Sequence, residues 1–184
     1  MSAIPRLARY EDLLALPENV TGEIIGGQLH AQPRPTARHA RLELGLGRSL
    51  FGSYDLGDGG PGGWIILSEP ELHLGEHVLV PDLAGWRRER LPHVPDGPID
   101  IAPDWVCEIL SPATARKDRA IKLPLYGKLG VTHAWLVDPA AKTVETYRHA
   151  DGHWLLLGSF GENDAMRAEP FDAVAIELGP LWAW

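Results

Sequence analysis

The chain has 184 residues, 45% of them apolar and 23% charged, which suits one globular domain (1–184) with a full hydrophobic core. Its 17 basic and 25 acidic residues give a formal charge of −8, which argues against a protein that coats nucleic acid through a basic surface. Cys107 is the single cysteine, so an internal disulfide and a cysteine-rich zinc site are excluded, in keeping with a reducing cytoplasm.

Met1-Ser2-Ala3-Ile4-Pro5-Arg6 has no long apolar stretch, so no secretory signal is expected. No apolar run reaches the ~18 residues of a membrane span. Tyr10 to Leu16 reads as a short helix stopped by Pro17. Glu23-Ile24-Ile25 and Gln28-Leu29-His30 flank Gly26-Gly27, which predicts a β-hairpin. Leu42, Leu46 and Leu50 recur every four residues and predict a helix from Thr36 to Leu50. Residues 52–63 are rich in glycine and read as a loop. Trp64 to Leu67, Glu71 to Leu74 and Val78 to Trp86 read as strands, and 87–104 as a polar, proline-rich, mobile connection. Arginines cluster at Arg34, Arg38, Arg41 and Arg48, and again at Arg87, Arg88 and Arg90, where a solvated face or a local basic patch is expected.

Trp105 to Leu110 is apolar on both alternating faces except at Glu108, the pattern of a central strand covered on both sides. Ser111-Pro112 is a helix start, and the helix runs to about Leu129 with Pro124 as a kink. Val131 to Val137 is the next strand, parallel to the one before by the crossover rule. Thr143 to Arg148 and Trp154 to Leu157 flank the turn Asp151-Gly152, and Phe171 to Leu178 predicts a final strand.

Two carboxylates stand out. Asp82 follows Pro81, and Glu108 lies 26 positions later inside an apolar run. An ionised carboxylate in such a setting needs a cation or hydrogen bonds. A buried basic partner would satisfy Glu108. A shared divalent cation would satisfy both acids, and a cation held by carboxylates points to phosphoryl chemistry. Lys122 lies one helical turn after Asp118, as an i,i+4 pair or as a site ammonium. His39 reads as a packed or surface histidine. Glu69, Glu71 and His73 alternate on one strand face. His73, His77 and His93 leave open a metal hydrolase built on imidazoles, although no helical His-x-x-x-His occurs.

The ordered set Val80-Pro81-Asp82-Leu83, Glu108-Ile109-Leu110-Ser111-Pro112, Asp118-x-x-x-Lys122-x-x-x-Tyr126 and Gly130-Val131-x-x-x-Trp135-Leu136-Val137-Asp138-Pro139 resembles the Uma2 family (DUF820). These are restriction-endonuclease-like proteins of the PD-(D/E)xK nuclease superfamily. Tyr10 to Pro17, Gly22 to Leu29 and Pro33-x-Pro35-x-x-x-His39 resemble that family's opening elements, so the likeness spans about residues 8–180. It implies an α/β fold of the α+β mixed-sheet type: a mixed sheet flanked by helices, with added β-hairpins. It implies a metal-dependent endonuclease acting on DNA, with Mg²⁺, or Mn²⁺ in its place, held by Asp82, Glu108, the Ile109 carbonyl and Glu23. The superfamily signature places lysine two residues after the second acid, where this chain has Leu110. The resemblance moves that role to Lys122, with Lys117 as the less favoured substitute. It also implies a homodimer, with no membrane association expected; the apolar terminal Leu181-Trp182-Ala183-Trp184 packs either on the sheet or on a second subunit. A catalytically inactive DNA- or protein-binding module on the same fold is the alternative, favoured by Leu110 and the acidic charge.

Overall fold

The computed structural model describes residues 6–183; the amino-terminal stretch read above for a signal and the last residue, Trp184, lie outside them. The centre is a six-stranded mixed sheet in the order β10-β9-β8-β7-β6-β3. Its members are β3 (Trp64–Ser68), β6 (Leu83–Arg87), β7 (Trp105–Ile109), β8 (His133–Asp138), β9 (Thr143–Ala150) and β10 (His153–Phe160). β7 and β8 are parallel, with Glu108 opposite Leu136, and every other neighbouring pair is antiparallel.

All five residues of β7 are buried, as its two-sided apolar pattern requires. Alternation sends Trp105, Cys107 and Ile109 to one face, into a core shared with Leu42, Leu46 and Leu50 of α2 (Ala37–Leu50), which follows the short α1 (Tyr10–Leu14) in the chain. On that side Phe171 meets Trp105 and Trp135 edge-to-face, with ring centroids 4.9 and 5.6 Å away. Val106 faces the opposite core, with Tyr126, Val131 and Ala134. Glu108 shares that second face, so the strand aims it at the helical segment 115–128.

That segment connects β7 to β8 and is not a plain α-helix. It consists of α3 (Ala115–Lys117), a π-helical turn over Asp118–Lys122, and α4 (Leu123–Lys128). The helix begins at Ala115 rather than at Ser111-Pro112. Ser111 and Thr114 instead close a turn in which the backbone N–H of each donates to the other's hydroxyl. Pro124 sits in the first turn of α4, a place that tolerates its missing N–H.

A smaller antiparallel sheet, β2-β1-β5-β4, is built from β1 (Val20–Ile25), β2 (Gln28–Pro33), β4 (Leu72–Leu74) and β5 (His77–Leu79). The hairpin turn at Gly26-Gly27 has φ of 57° and 71°, and Asp151-Gly152 between β9 and β10 has 50° and 78°. The continuous strand expected from Val78 to Trp86 is broken. β5 belongs to the small sheet and β6 to the large one, and the chain crosses between them through Val80-Pro81-Asp82. Pro81 offers no N–H for a ladder, which makes the break natural.

Three other expectations change. The 51–56 stretch continues α2 as a π-helical turn and buries Tyr54 before the glycine-rich loop begins. Residues 87–104 are tied down: Ile99 exchanges backbone hydrogen bonds with β4 and its approach, His73 N–H donating to Ile99 O and Ile99 N–H to Glu71 O, both at 2.9 Å. Asp104 accepts from Arg87 N–H and pairs with Arg90. Of the final strand only Ile176–Glu177 forms, against Ala165–Met166, while Phe171 is drawn into the aromatic core and its carbonyl accepts the Tyr54 hydroxyl. Of the two placements open to the terminal segment, Leu181 and Trp182 take the one within the chain, buried in the α2-side core against the sheet. Among the described residues no helix is long and apolar enough to cross a membrane.

Candidate active site

The crossing at Val80-Pro81-Asp82 brings the two sheets' functional residues together. Leu83 is opposite Cys107 in the β6–β7 ladder, so one further step sets Asp82 beside Glu108 at the strand ends. Asp82 Oδ2 accepts the Ile109 backbone N–H at 2.5 Å, and its Oδ1 lies 2.9 Å from Nε2 of His39. On the other side, the Val80 N–H donates to Glu23 Oε1 at 3.0 Å.

Lys122 is almost wholly buried (1% exposed) and its ammonium joins the two halves. It lies 2.8 Å from Glu23 Oε1 and 2.7 Å from Glu108 Oε1, and donates to the Val80 carbonyl at 3.3 Å. An ammonium has three donors, so these partners use all of them. Lys117 also reaches Glu23, 2.6 Å from Oε2, and donates to Gln32 Oε1 at 2.7 Å. Residues five apart on an ideal α-helix point about 140° away from each other. The π-helical turn, with its i→i+5 repeat, lets Lys117 and Lys122 meet the same carboxylate. The Tyr126 hydroxyl donates to Glu108 Oε1 at 2.6 Å. Among the described residues every hydrogen bond and ion pair of Glu108 falls on Oε1.

The two glutamates share one ammonium yet shift in opposite directions. Burial raises the Glu23 carboxyl, but the Lys122 and Lys117 ammoniums outweigh it and hold the group down at about 2. Burial pushes the Glu108 carboxyl up to about 8; Lys122 opposes that, while Asp118, Asp82 and Glu23 add to it. Burial lowers the Lys122 ammonium, but Glu108 and Glu23 overcome it and raise the group well above the ordinary lysine value. For His39, burial is likewise outweighed by the Asp82 carboxylate, and the imidazole is raised.

Asp82, Glu108 and Ile109 line one cavity of about 290 Å³, together with His39, Gln32, Arg34 and Asp118. Its acids are hard oxygen donors of the kind Mg²⁺ takes. Glu23, expected as a metal ligand, has both carboxylate oxygens engaged by the two ammoniums and the Val80 N–H. Lys122 takes Glu108 and Glu23 as partners rather than pairing along its own helix with Asp118. The arginine clusters are partly spent on structure: Arg88 pairs with Asp55, Arg90 with Asp104, and Arg87 lies over the Trp64 ring. His73 pairs with Glu71 and His77 Nδ1 accepts the Gly26 N–H, so these two imidazoles serve the small sheet.

Sequence reasoning left His39 as an ordinary histidine and passed over Glu43. Both face the site from α2: Glu43 is buried and accepts the Ser68 hydroxyl. Their four-residue spacing on one helix was the available signal. Only the tertiary structure supplies Asp82 as their common neighbour.

A family model described as "Uma2: Putative restriction endonuclease" matches residues 7–178. A solved structure from Anabaena variabilis ATCC 29413, described as a "putative nuclease belonging to DUF820", is 27% identical, with a TM-score of 0.72 over 94% of this chain and 96% of that one. Comparison with curated proteins gives no match. With the family pattern running through both sheets and the acids and lysine of that pattern gathered in one place, the chain belongs to the Uma2 family of restriction-endonuclease-like proteins and has its fold.

Proposed function

We propose that this single domain, residues 1–184, is a divalent-metal-dependent DNA endonuclease that hydrolyses phosphodiester bonds. The observation that carries the reading is the meeting of Asp82, Glu108 and Ile109 on one cavity wall, with the Lys122 ammonium behind Glu108. Family membership supports nuclease chemistry, and the description of the Anabaena neighbour agrees with it.

Asp82, Glu108 and the Ile109 carbonyl are the groups that would hold Mg²⁺, or Mn²⁺ in its place. Bound there, such an ion lowers the pKa of a water and neutralises charge on the scissile phosphate. The Ile109 N–H fixes the Asp82 carboxylate, and the Tyr126 hydroxyl and Lys122 fix one oxygen of Glu108, a residue that lines the cavity. Lys122 has no donor left for substrate, so its part is to hold Glu108 in place and balance its charge. Lys117 has one donor beyond its bonds to Glu23 and Gln32, which makes it the ammonium best able to meet a phosphate oxygen. Glu23 orients both lysines.

The reading includes a homodimer, a common arrangement for cutting two strands. With Leu181 and Trp182 buried, one contiguous apolar surface open to it among the described residues is the exposed run Leu155, Leu156 and Leu157 on β10. It places the protein in a reducing cytoplasm, which suits the buried thiol of Cys107. A second reading, a non-catalytic DNA- or protein-binding module, is favoured by Leu110 and by a Lys122 ammonium already saturated with carboxylates.

Cleavage of duplex, single-stranded and branched DNA with Mg²⁺ and Mn²⁺ tests the reading, with light scattering for the dimer. Asp82→Asn and Glu108→Gln are expected to slow cleavage by at least about 10²–10³, the scale for losing one electrostatic stabiliser. Cleavage retained by Asp82→Asn removes the assigned site, and no cleavage of any substrate supports the module.

A further inference from the structure

We propose that His39, Glu43 and Asp82 form a second cation position beside the one assigned to Asp82 and Glu108, and that its imidazole makes it take a transition-metal dication in preference to Mg²⁺. The proposal deepens the nuclease reading and shares one ligand with it, Asp82.

Two elements build the position. His39 and Glu43 are one turn apart on α2, whose start is fixed by Thr36, the hydroxyl of which accepts the His39 N–H. Asp82 arrives from the opposite side, on the crossing between the sheets. One donor atom from each residue lies within 4.8 Å of the others. Ligands ~2.1 Å from one ion stand ~3.0 Å apart at right angles and ~4.2 Å apart when opposed, so the three atoms reach one octahedral sphere after side-chain shifts of at most about 0.6 Å. The 2.9 Å between His39 Nε2 and Asp82 Oδ1 matches an adjacent pair.

The charge arrangement also calls for a cation. Glu43 is 8% exposed, with Asp82 and Glu69 as acidic neighbours and His39 as the opposing group. An imidazole cannot balance three carboxylates, and a dication can. The position is reachable: His39 and Asp82 line the 290 Å³ cavity, and Glu43 lines an adjoining groove of about 560 Å³ between α2 and β3. Imidazole raises affinity for first-row transition ions relative to Mg²⁺, which prefers oxygen alone and keeps its waters.

Calorimetric titration of the metal-free full chain with Mn²⁺, in millimolar-excess Mg²⁺, is the test. Wild type is expected to keep a Mn²⁺-binding event. Losing even an outer partner of a metal ligand costs about 10–100-fold in metal affinity, so losing a ligand in Glu43→Gln or His39→Gln should weaken Mn²⁺ by at least about tenfold. Glu108→Gln should leave this event in place. Electron paramagnetic resonance of bound Mn²⁺ in protein carrying ¹⁵N-histidine should show nitrogen coupling that His39→Gln abolishes. Melting in EDTA checks that each variant folds. Should Glu43→Gln not fold, the nitrogen coupling in wild type and its loss in His39→Gln decide. Wild-type Mn²⁺ affinity in both variants, or no nitrogen coupling, overturns the proposal. Mn²⁺ bound with nitrogen coupling but no DNA cleavage would sink the nuclease reading and leave the cation site standing.

Discussion

The Lys122 ammonium lies 2.7 Å from Glu108 Oε1, deep between the two sheets, and binds Glu23 with the same nitrogen. Removing one partner of a buried ion pair leaves an uncompensated charge and costs about 3–5 kcal/mol. Lys122→Met is therefore expected to lower stability by about that much in urea unfolding. Above pH 8, where Glu108 is ionised, adding Glu108→Gln to Lys122→Met should recover part of the loss, because one of the stranded carboxylates is gone. Residues in contact couple by about 0.5–3 kcal/mol, so effects that simply add would show that the pair is not formed.

The opposed shifts of Glu23 and Glu108 give the metal-free protein a two-sided pH dependence. Glu108 titrates near 8 when folded against an ordinary value of 4.5, so the folded state holds its proton more tightly. Its contribution is complete below pH 4.5 and is lost as pH rises through 8. Glu23 titrates near 2, below its ordinary 4.5; its contribution is complete above pH 4.5 and is lost as pH falls through 2. Urea midpoints in EDTA are expected to fall between pH 5 and 8 in wild type and to fall less in Glu108→Gln. Parallel curves for the two proteins would mean that Glu108 is ionised across the whole range.

The strand pattern already carried the burial of Glu108 and the parallel pairing of β7 with β8, because alternation and the crossover rule are local consequences of sequence. The break at Pro81-Asp82 was legible only in part, through the proline. Apolar residues run through it, and only the existence of a second sheet decides where β5 ends. The same holds for 87–104, whose prolines suggested mobility while Ile99 is locked to β4 by contacts that composition cannot reveal. His39 and Glu43 carried a helical spacing but no hint of their third member. The π-helical turn at 118–122 had no signature, since the carboxylate that both lysines meet, Glu23, comes from a different sheet far away in sequence.

Lys117 tests how far that turn matters for chemistry. Its side chain is partly exposed, and it bonds Glu23 and Gln32 at the cavity edge. Lys117→Gln keeps polar reach without charge. Cleavage is expected to drop by about 10²–10³ if Lys117 stabilises developing phosphate charge. Loss of stability should stay smaller than for Lys122→Met, because Glu23 retains Lys122 and the Val80 N–H. Full cleavage by Lys117→Gln, measured under single-turnover conditions, would return the lysine role to Lys122.

Tyr126 separates orientation of Glu108 from its charge balance. Tyr126→Phe deletes one hydroxyl from a fully packed position, so no cavity of consequence forms. What is lost is the hydrogen bond to Glu108 Oε1, and above pH 8, where that carboxyl is ionised, bonds to charged groups contribute about 1.5–3 kcal/mol. Stability should fall within that span. The Lys122 ammonium still holds the same oxygen, so Glu108 keeps one anchor and gains freedom to rotate. Mg²⁺ affinity by calorimetry is then expected to weaken by about 10–100-fold, the range for an outer-shell partner of a metal ligand. If affinity stays unchanged while stability falls, Tyr126 serves only the core, and Glu108 is positioned by Lys122 alone.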